Sequence, residues 1–196
     1  MADMQISGVI LAGGTARRMG GGDKGRLEIS GVSLLVRVIQ RLEPQVAGLA
    51  LSANGAPERF ADLGLPVMPD ETPDRGPLAG VLAGLDWARG QGADALVTAP
   101  ADTPFLPADL VPRLRRAGPV AIAHSGGRDH PTCGLWAVAL APLLRERLDA
   151  GDRRLMAFAD AAGAARAEFD DDRAFFNVNT PEDLARAEAL AEEGAA

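Results

Sequence analysis

The sequence holds a single cysteine, Cys133, and no tyrosine, and only 4% of its residues are aromatic. One cysteine excludes an internal disulfide framework and any cysteine-rich zinc site. So few rings leave no obvious stacking residue for a ligand, and Trp87 and Trp136 are expected in the core. The chain opens Met1-Ala2-Asp3-Met4 without a basic leader or long apolar run, so a cytoplasmic protein with no membrane span is expected. Positive charge is not in excess either: a formal charge of -7 argues against a general nucleic-acid surface, while permitting a local cation cluster at an anionic substrate. No fixed-period repeat or linker interrupts the chain.

What is present is a core. With 196 residues, 47% of them hydrophobic, the chain suits one domain spanning 1–196. Short apolar runs at 6–12, 46–52, 67–68, 95–99, 120–123 and 135–140 predict strands, with shorter ones near 167–169 and 175–178. Helices are predicted after Ser33 as N-cap, over 77–89 with Pro77 at its first position, and over 107–116, 142–148 and 153–162. Thr180-Pro181-Glu182-Asp183 opens a last helix. This alternation predicts an α/β, Rossmann-like fold whose mainly parallel central sheet is flanked by helices on both faces. Ligands collect beyond the carboxyl ends of such strands, so the unusual loops after Ala12, Ala99 and Val178 should converge on one edge.

The first loop, Leu11-Ala12-Gly13-Gly14-Thr15-Ala16-Arg17-Arg18-Met19-Gly20-Gly21-Gly22-Asp23-Lys24-Gly25, carries most of the chemistry. Glycines such as Gly13 and Gly14 let backbone N–H groups approach a polyphosphate, and Arg17, Arg18, Lys24 and Arg26 supply positive charge in an acidic chain. It is not a P-loop, because Lys24 follows Asp23 and precedes Gly25, without the Mg-binding hydroxyl. Gly20-x-Gly22-x-x-Gly25 matches the dinucleotide pattern but sits too far past the strand to form its first turn.

Leu11-Ala-Gly-Gly-x-Ala-Arg-Arg-Met-Gly followed by Asp23-Lys24-Gly25 resembles the signature of the molybdenum cofactor guanylyltransferases, the MobA family. The resemblance continues through Gly76-Pro77-Leu78-Ala79-Gly80, Asp102-Thr103-Pro104, Arg128-Asp129-His130-Pro131-Thr132 and Asn177-Val178-Asn179-Thr180-Pro181, nearly the whole chain. It implies a fold of the nucleotide-diphospho-sugar transferase type and an Mg-dependent nucleotidyltransferase. Such an enzyme moves GMP from GTP to the terminal phosphate of molybdopterin, forming molybdopterin guanine dinucleotide and releasing pyrophosphate. The rival reading is a CTP-dependent cytidylyltransferase or a sugar-phosphate nucleotidyltransferase. Residues up to about 105 are expected to hold GTP and Mg, and those from about 106 the acceptor. A monomer is expected, in transient contact with proteins that deliver the cofactor or mature molybdoenzymes.

Residue by residue, the resemblance assigns nucleotide contacts to Leu11, Ala12, Gly13, Gly14 and Asp70, with Asp74 nearby as an alternative to the last. Lys24 meets phosphate, Arg18 is the second cation, and Asp102 both ligates the metal and faces the nucleotide. Independently of family, a carboxylate straight after the most apolar strand is costly unless it faces a cation or water. The family's nucleotide-contacting Asn falls at Ser52, so either Ser52 or Asn54 serves. Asn177 and Asn179, read as flanking Val178 on a strand end and therefore sharing a face, are assigned to the acceptor, and His130, in the segment 128–132 read as a turn, is a further candidate contact there.

Overall fold

Strands that are apolar on both sides must be covered on both faces, and the arrangement of this chain follows from that need. The computed structural model describes residues 4–13, 23–69 and 76–193. In chain order the elements are β1 (Ile6–Leu11), a small hairpin of β2 (Glu28–Ile29) and β3 (Val32–Ser33), α1 (Leu34–Leu42), β4 (Gly48–Ser52), β5 (Val67–Met68) and α2 (Pro77–Gly90). There follow β6 (Ala95–Pro100), α3 (Leu110–Ala117), β7 (Ala121–Ser125), β8 (Arg128–Ala137), α4 (Ala141–Asp149), α5 (Leu155–Ala161), β9 (Ala165–Glu168) and α6 (Pro181–Glu193).

Seven strands form one sheet in the order β5-β4-β1-β6-β8-β7-β9. Only β8 runs against the others, so the sheet is mainly parallel, as the sequence predicts. One face is covered by α1 and α3 through Leu35, Val38, Leu42, Leu110 and Leu114. The other carries α2, α4 and α5 through Val81, Leu85, Leu144 and Phe158. Ser33 caps α1 by accepting from the Val36 N–H at 3.3 Å, and Pro77 stands in the first turn of α2. A third small cluster, Ile29, Leu34, Val178 and Ala187, ties α6 to the β2–β3 hairpin. Among the described residues no helix is long and apolar enough to cross a membrane.

Beside the unexpected β2–β3 hairpin and the 3-10 turn Val138–Leu140 that ends the strand expected over 135–140, two segments near the site differ from the sequence reading. Residues 128–132, read as a turn, begin the long strand β8, because Gly126 and Gly127 (φ 52° and 72°) make a two-residue hairpin turn after β7. The stretch 175–178 is no strand: its start is a 3-10 turn, Asp172–Phe175, capped by the Asp171 carboxylate accepting from the Arg173 N–H at 3.0 Å. Trp136 is fully buried as expected, whereas Trp87 is half-buried against the α2 side of the core.

The indole N–H of Trp136 donates to Thr98 Oγ1 at 3.0 Å, and both residues are wholly inaccessible to solvent. Thr98→Val keeps the shape and removes the acceptor. Chemical denaturation is expected to show a loss of about 1–3 kcal/mol, the cost of an unpaired buried donor; an unchanged midpoint would mean that the hydrogen bond contributes nothing.

Candidate functional site

Parallel pairing of β1 with β6 sets Leu11 level with Pro100, and the pairing extends one step further as the Ala101 N–H donates to the Leu11 carbonyl at 3.1 Å. The loops leaving these two strands are therefore neighbours at the carboxyl edge. The 3-10 turn Lys24–Arg26 packs onto the same edge through Gly25, where an added Cβ would lie 3.2 Å from Leu35 Cβ and 3.4 Å from Ala101 Cβ. That close approach fixes where Lys24 starts.

Lys24 Nζ reaches Asp102 Oδ2 at 2.5 Å and also donates to Asn179 Oδ1. The two charged side chains are only 13% and 19% exposed. Asn179 arrives because the segment before α6 docks on the loop after β6. There the Val178 N–H donates to the Asp102 carbonyl at 2.9 Å, and Thr103 Oγ1 donates to Asn177 Oδ1 at 2.5 Å. The first turn of α6 holds the segment in place. Asp183 accepts from the backbone N–H groups of Asn179 and Thr180, both at 3.0 Å, and its own N–H donates to Thr180 Oγ1 at 3.1 Å. These bonds, led by that from the Asn179 N–H, hold the Asp183 carboxyl below its usual range.

The three loops thus converge, and beside them opens a cleft of about 470 Å³. Leu11, Ala12, Gly13, Lys24 and Asp102 line it on one side, with Ser52 and Asn54 from the end of β4. Ser52 is almost fully buried and Asn54 half-buried, so the first belongs to the floor and the second to the rim. Gly76 and Pro77 bring the N-terminal end of the 14-residue helix α2 to the cleft, an electrostatically favourable place for an anion. Gly80, one turn further along, is needed as glycine: a Cβ there would sit 2.6 Å from Ser52 Oγ and 3.0 Å from Leu11 Cδ2. Gly14, Arg18, Asp70 and the alternative Asp74 lie outside the described residues. Arg26, counted among the cations of the first loop, turns away instead and grips Asp62 with two hydrogen bonds of 2.7 and 2.6 Å.

A second cleft of about 360 Å³ is lined by Arg128, His130, Phe175, Asn177 and Asn179 among others, and the bond from Lys24 to Asn179 links it to the lining of the first. His130 stacks on Phe175 with ring centroids 4.6 Å apart, and its Nε2 lies 3.0 Å from Ser125 Oγ. Burial, then the nearby charge of Arg128, lowers the His130 pKa from its ordinary value. Next to it Asp129 contacts His124 Nδ1 at 2.7 Å and Arg166, and these partners, His124 first, hold its carboxyl below the usual range. Asn177 and Asn179 do face one region, through a docked loop rather than through the alternation of a strand.

Gly80, Thr103 and Thr132, which lines the first cleft, were given no role from sequence. The four-residue spacing of Gly76 and Gly80, one helical turn, was the available signal for a bare helix face. Among the described residues no three His, Cys, Asp or Glu side chains come together as a metal cage. Among the described residues Asp102 alone offers the cleft a carboxylate, which suits a hard divalent ion completed by phosphate oxygens and water.

A family model described as the MobA-like NTP transferase domain matches residues 8–167. The chain is 61% identical over 189 residues to a molybdenum cofactor guanylyltransferase of Cereibacter sphaeroides, covering 95% of this chain and 97% of the relative. It is 52% identical over 187 residues to a molybdenum cofactor guanylyltransferase of Rhodobacter capsulatus, covering 94% and 96%. The fold matches the crystal structure of molybdopterin-guanine dinucleotide biosynthesis protein A from Archaeoglobus fulgidus with a TM-score of 0.73 at 22% identity, covering 95% of this chain and 99% of that one.

Gly80→Ala is expected to lower stability by about 1–3 kcal/mol, the usual cost of overpacking, and to weaken ligand binding in the first cleft. Thermal melting and titration with a nucleoside triphosphate check both; wild-type values would show that the floor can yield. His130 yields a pH dependence. Its folded pKa is lowered, so below about pH 6.5 the unfolded chain takes up a proton that the folded chain resists. Its contribution to stability is complete above that pH and is lost as pH falls through the lowered folded value. Urea midpoints at pH 7.5 and pH 5 should therefore differ less in His130→Gln than in the wild type, and an equal difference would count against the assignment.

Proposed function

The chain belongs to the MobA-like NTP transferase family, and from that premise we propose that it transfers GMP from GTP to the terminal phosphate of molybdopterin, forming molybdopterin guanine dinucleotide. The observation that carries this reading is the meeting of Lys24 and Asp102, which line the first cleft, with Asn179, which lines the second. A triphosphate in the first cleft and an acceptor phosphate entering from the second would come together at that point.

An oxygen of the acceptor phosphate attacks the α-phosphorus of GTP, the bond from that phosphorus to the α–β bridging oxygen breaks, and pyrophosphate leaves. A phosphate monoester is already ionised near neutral pH, so the step needs position and charge neutralisation more than a strong base. Lys24 exchanges Asp102 for phosphate as its counter-ion when the nucleotide binds, which leaves the Asp102 carboxylate for a cation. Mg bound at Asp102 would supply charge neutralisation for the phosphates and for departing pyrophosphate. The backbone N–H of Gly13 and the N-terminal end of α2 add fixed positive potential, while the Ala12 N–H is taken by the Ser52 carbonyl at 2.8 Å. Arg18 is the proposed second cation, and Gly14 a further main-chain contact.

Specificity for guanine is assigned to Asp70, because a carboxylate can accept from both the ring and amino N–H groups of that base. Either Ser52 or Asn54 adds a nucleotide contact from the end of β4. The acceptor lies in the second cleft against Asn177 and Asn179. The working unit in this reading is a cytoplasmic monomer, with residues up to about 105 serving GTP and Mg and the remainder the acceptor.

Incubating the protein with Mg, GTP and isolated molybdopterin should give the dinucleotide by mass, and CTP should compete poorly; a preference for CTP would replace the guanylyl reading with a cytidylyl one. Asp102→Ala and Lys24→Ala are each expected to lower kcat about a hundredfold or more, the scale of lost transition-state charge stabilisation, with the fold retained but the melting temperature lowered, because each leaves its partner's charge mostly shielded and unpaired. Normal turnover in either variant would sink the assignment.

A further inference from the structure

Outside both clefts, one guanidinium joins the two walls of the first. The 3-10 helix Pro57–Leu63 follows the turn at Gly55 and presents Arg59 towards the site. Arg59 Nη1 lies 3.1 Å from Asp23 Oδ1, on the residue directly before Lys24. Arg59 Nη2 donates at 2.5 Å to the carbonyl of Asn54, which lines the same cleft from beyond the end of β4. The same guanidinium lies 4.8 Å from the centre of the Phe60 ring, and Phe60 is only 1% exposed. A reciprocal bond completes the arrangement, since Arg26 donates to the Arg59 carbonyl at 2.5 Å while holding Asp62.

We propose that Arg59 is a positioning residue that clasps the Lys24 turn to the end of β4 and so sets the width and aim of the nucleotide cleft. The inference rests on the nucleotidyl-transfer reading for its consequence, though not for its geometry. A guanidinium suits the task because its rigid planar fork can serve a carboxylate and a carbonyl at once, whereas an ammonium is a single point of charge. The ring of Phe60 supports it from the core, so the clasp is fixed before any ligand arrives. Lys24 alone could follow phosphate on its flexible stem. Held by Asp23 and Arg59, its backbone cannot drift from Asn54, and the two walls act on one nucleotide together.

The test uses Arg59→Ala, Asp23→Asn and their combination in the full chain, with GTP as the varied substrate and then the acceptor. Loss of a charge-assisted clasp is expected to raise the KM for GTP about tenfold in each single variant, to leave the acceptor KM near wild type, and to cost no more in the double variant than in the worse single one. Backbone hydrogen exchange gives a readout independent of turnover. The amides of Arg26 and Leu27, which donate to Asp23 and Lys24 across the 3-10 turn, should exchange faster in Arg59→Ala. Should Arg59→Ala fail to fold, the same measurements on Arg59→Lys decide, because lysine can reach only one of the two acceptors at a time. A GTP KM within about twofold of wild type, effects that multiply in the double variant, or unchanged exchange at Arg26 and Leu27 would each overturn the proposal. If the wild-type protein makes no dinucleotide, the functional reading fails separately, and exchange still tests the clasp.

Discussion

The parallel register of β1 against β6, with Leu11 opposite Pro100, is the constraint from which the site follows. A one-residue slip would move every side chain of one strand to the other face of the sheet, so burial on both faces holds this register firmly. Because the register holds, the loops after Leu11 and Pro100 leave the sheet side by side. A cation and a carboxylate 78 positions apart in sequence then come within 2.5 Å of each other. Helix α2, rooted between β5 and β6, brings its N-terminal end to the same edge.

Electrostatics explains how a chain of net charge -7 can receive a polyanion. The cleft gathers Lys24, the main chain of Gly13 and the N-terminal end of α2. The Lys24–Asp102 pair is mostly shielded from water, so each charge would be costly alone and each holds the other in place. In the proposed reaction an incoming phosphate and a divalent ion would offer both groups a replacement partner at the same moment. The resting pair thereby keeps the site assembled without filling it with apolar bulk.

Much of this was legible in the sequence, for reasons that are local. Apolar runs such as Ala95–Pro100 declare buried strands, Ser33 and Pro77 declare helix starts, and a lysine amid glycines declares affinity for phosphate. What escaped detection depends on partners distant in the chain. Residues 128–132 carry polar side chains and a proline, so they read as a turn until β7 is beside them to pair with. Asn177 and Asn179 were assigned to one face by strand alternation; their actual placement comes from the capping carboxylate of Asp183 and from Thr103, 74 residues away from Asn177. Arg26 reads as one more cation of the first loop and Arg59 as any surface arginine, since nothing local reveals that both converge on Phe60.

The hydrogen bond between Lys24 and Asn179 spans 155 positions of chain. Synthesis delivers the amino-terminal end first, so the glycine-rich loop leaves the ribosome long before the amide that completes it. Through that interval a nascent chain owns a phosphate-attracting segment but no finished catalytic geometry. Its capacity for chemistry matures last, with α6, and a carboxyl-terminal truncation would disarm the enzyme while sparing the strands at the centre of its sheet.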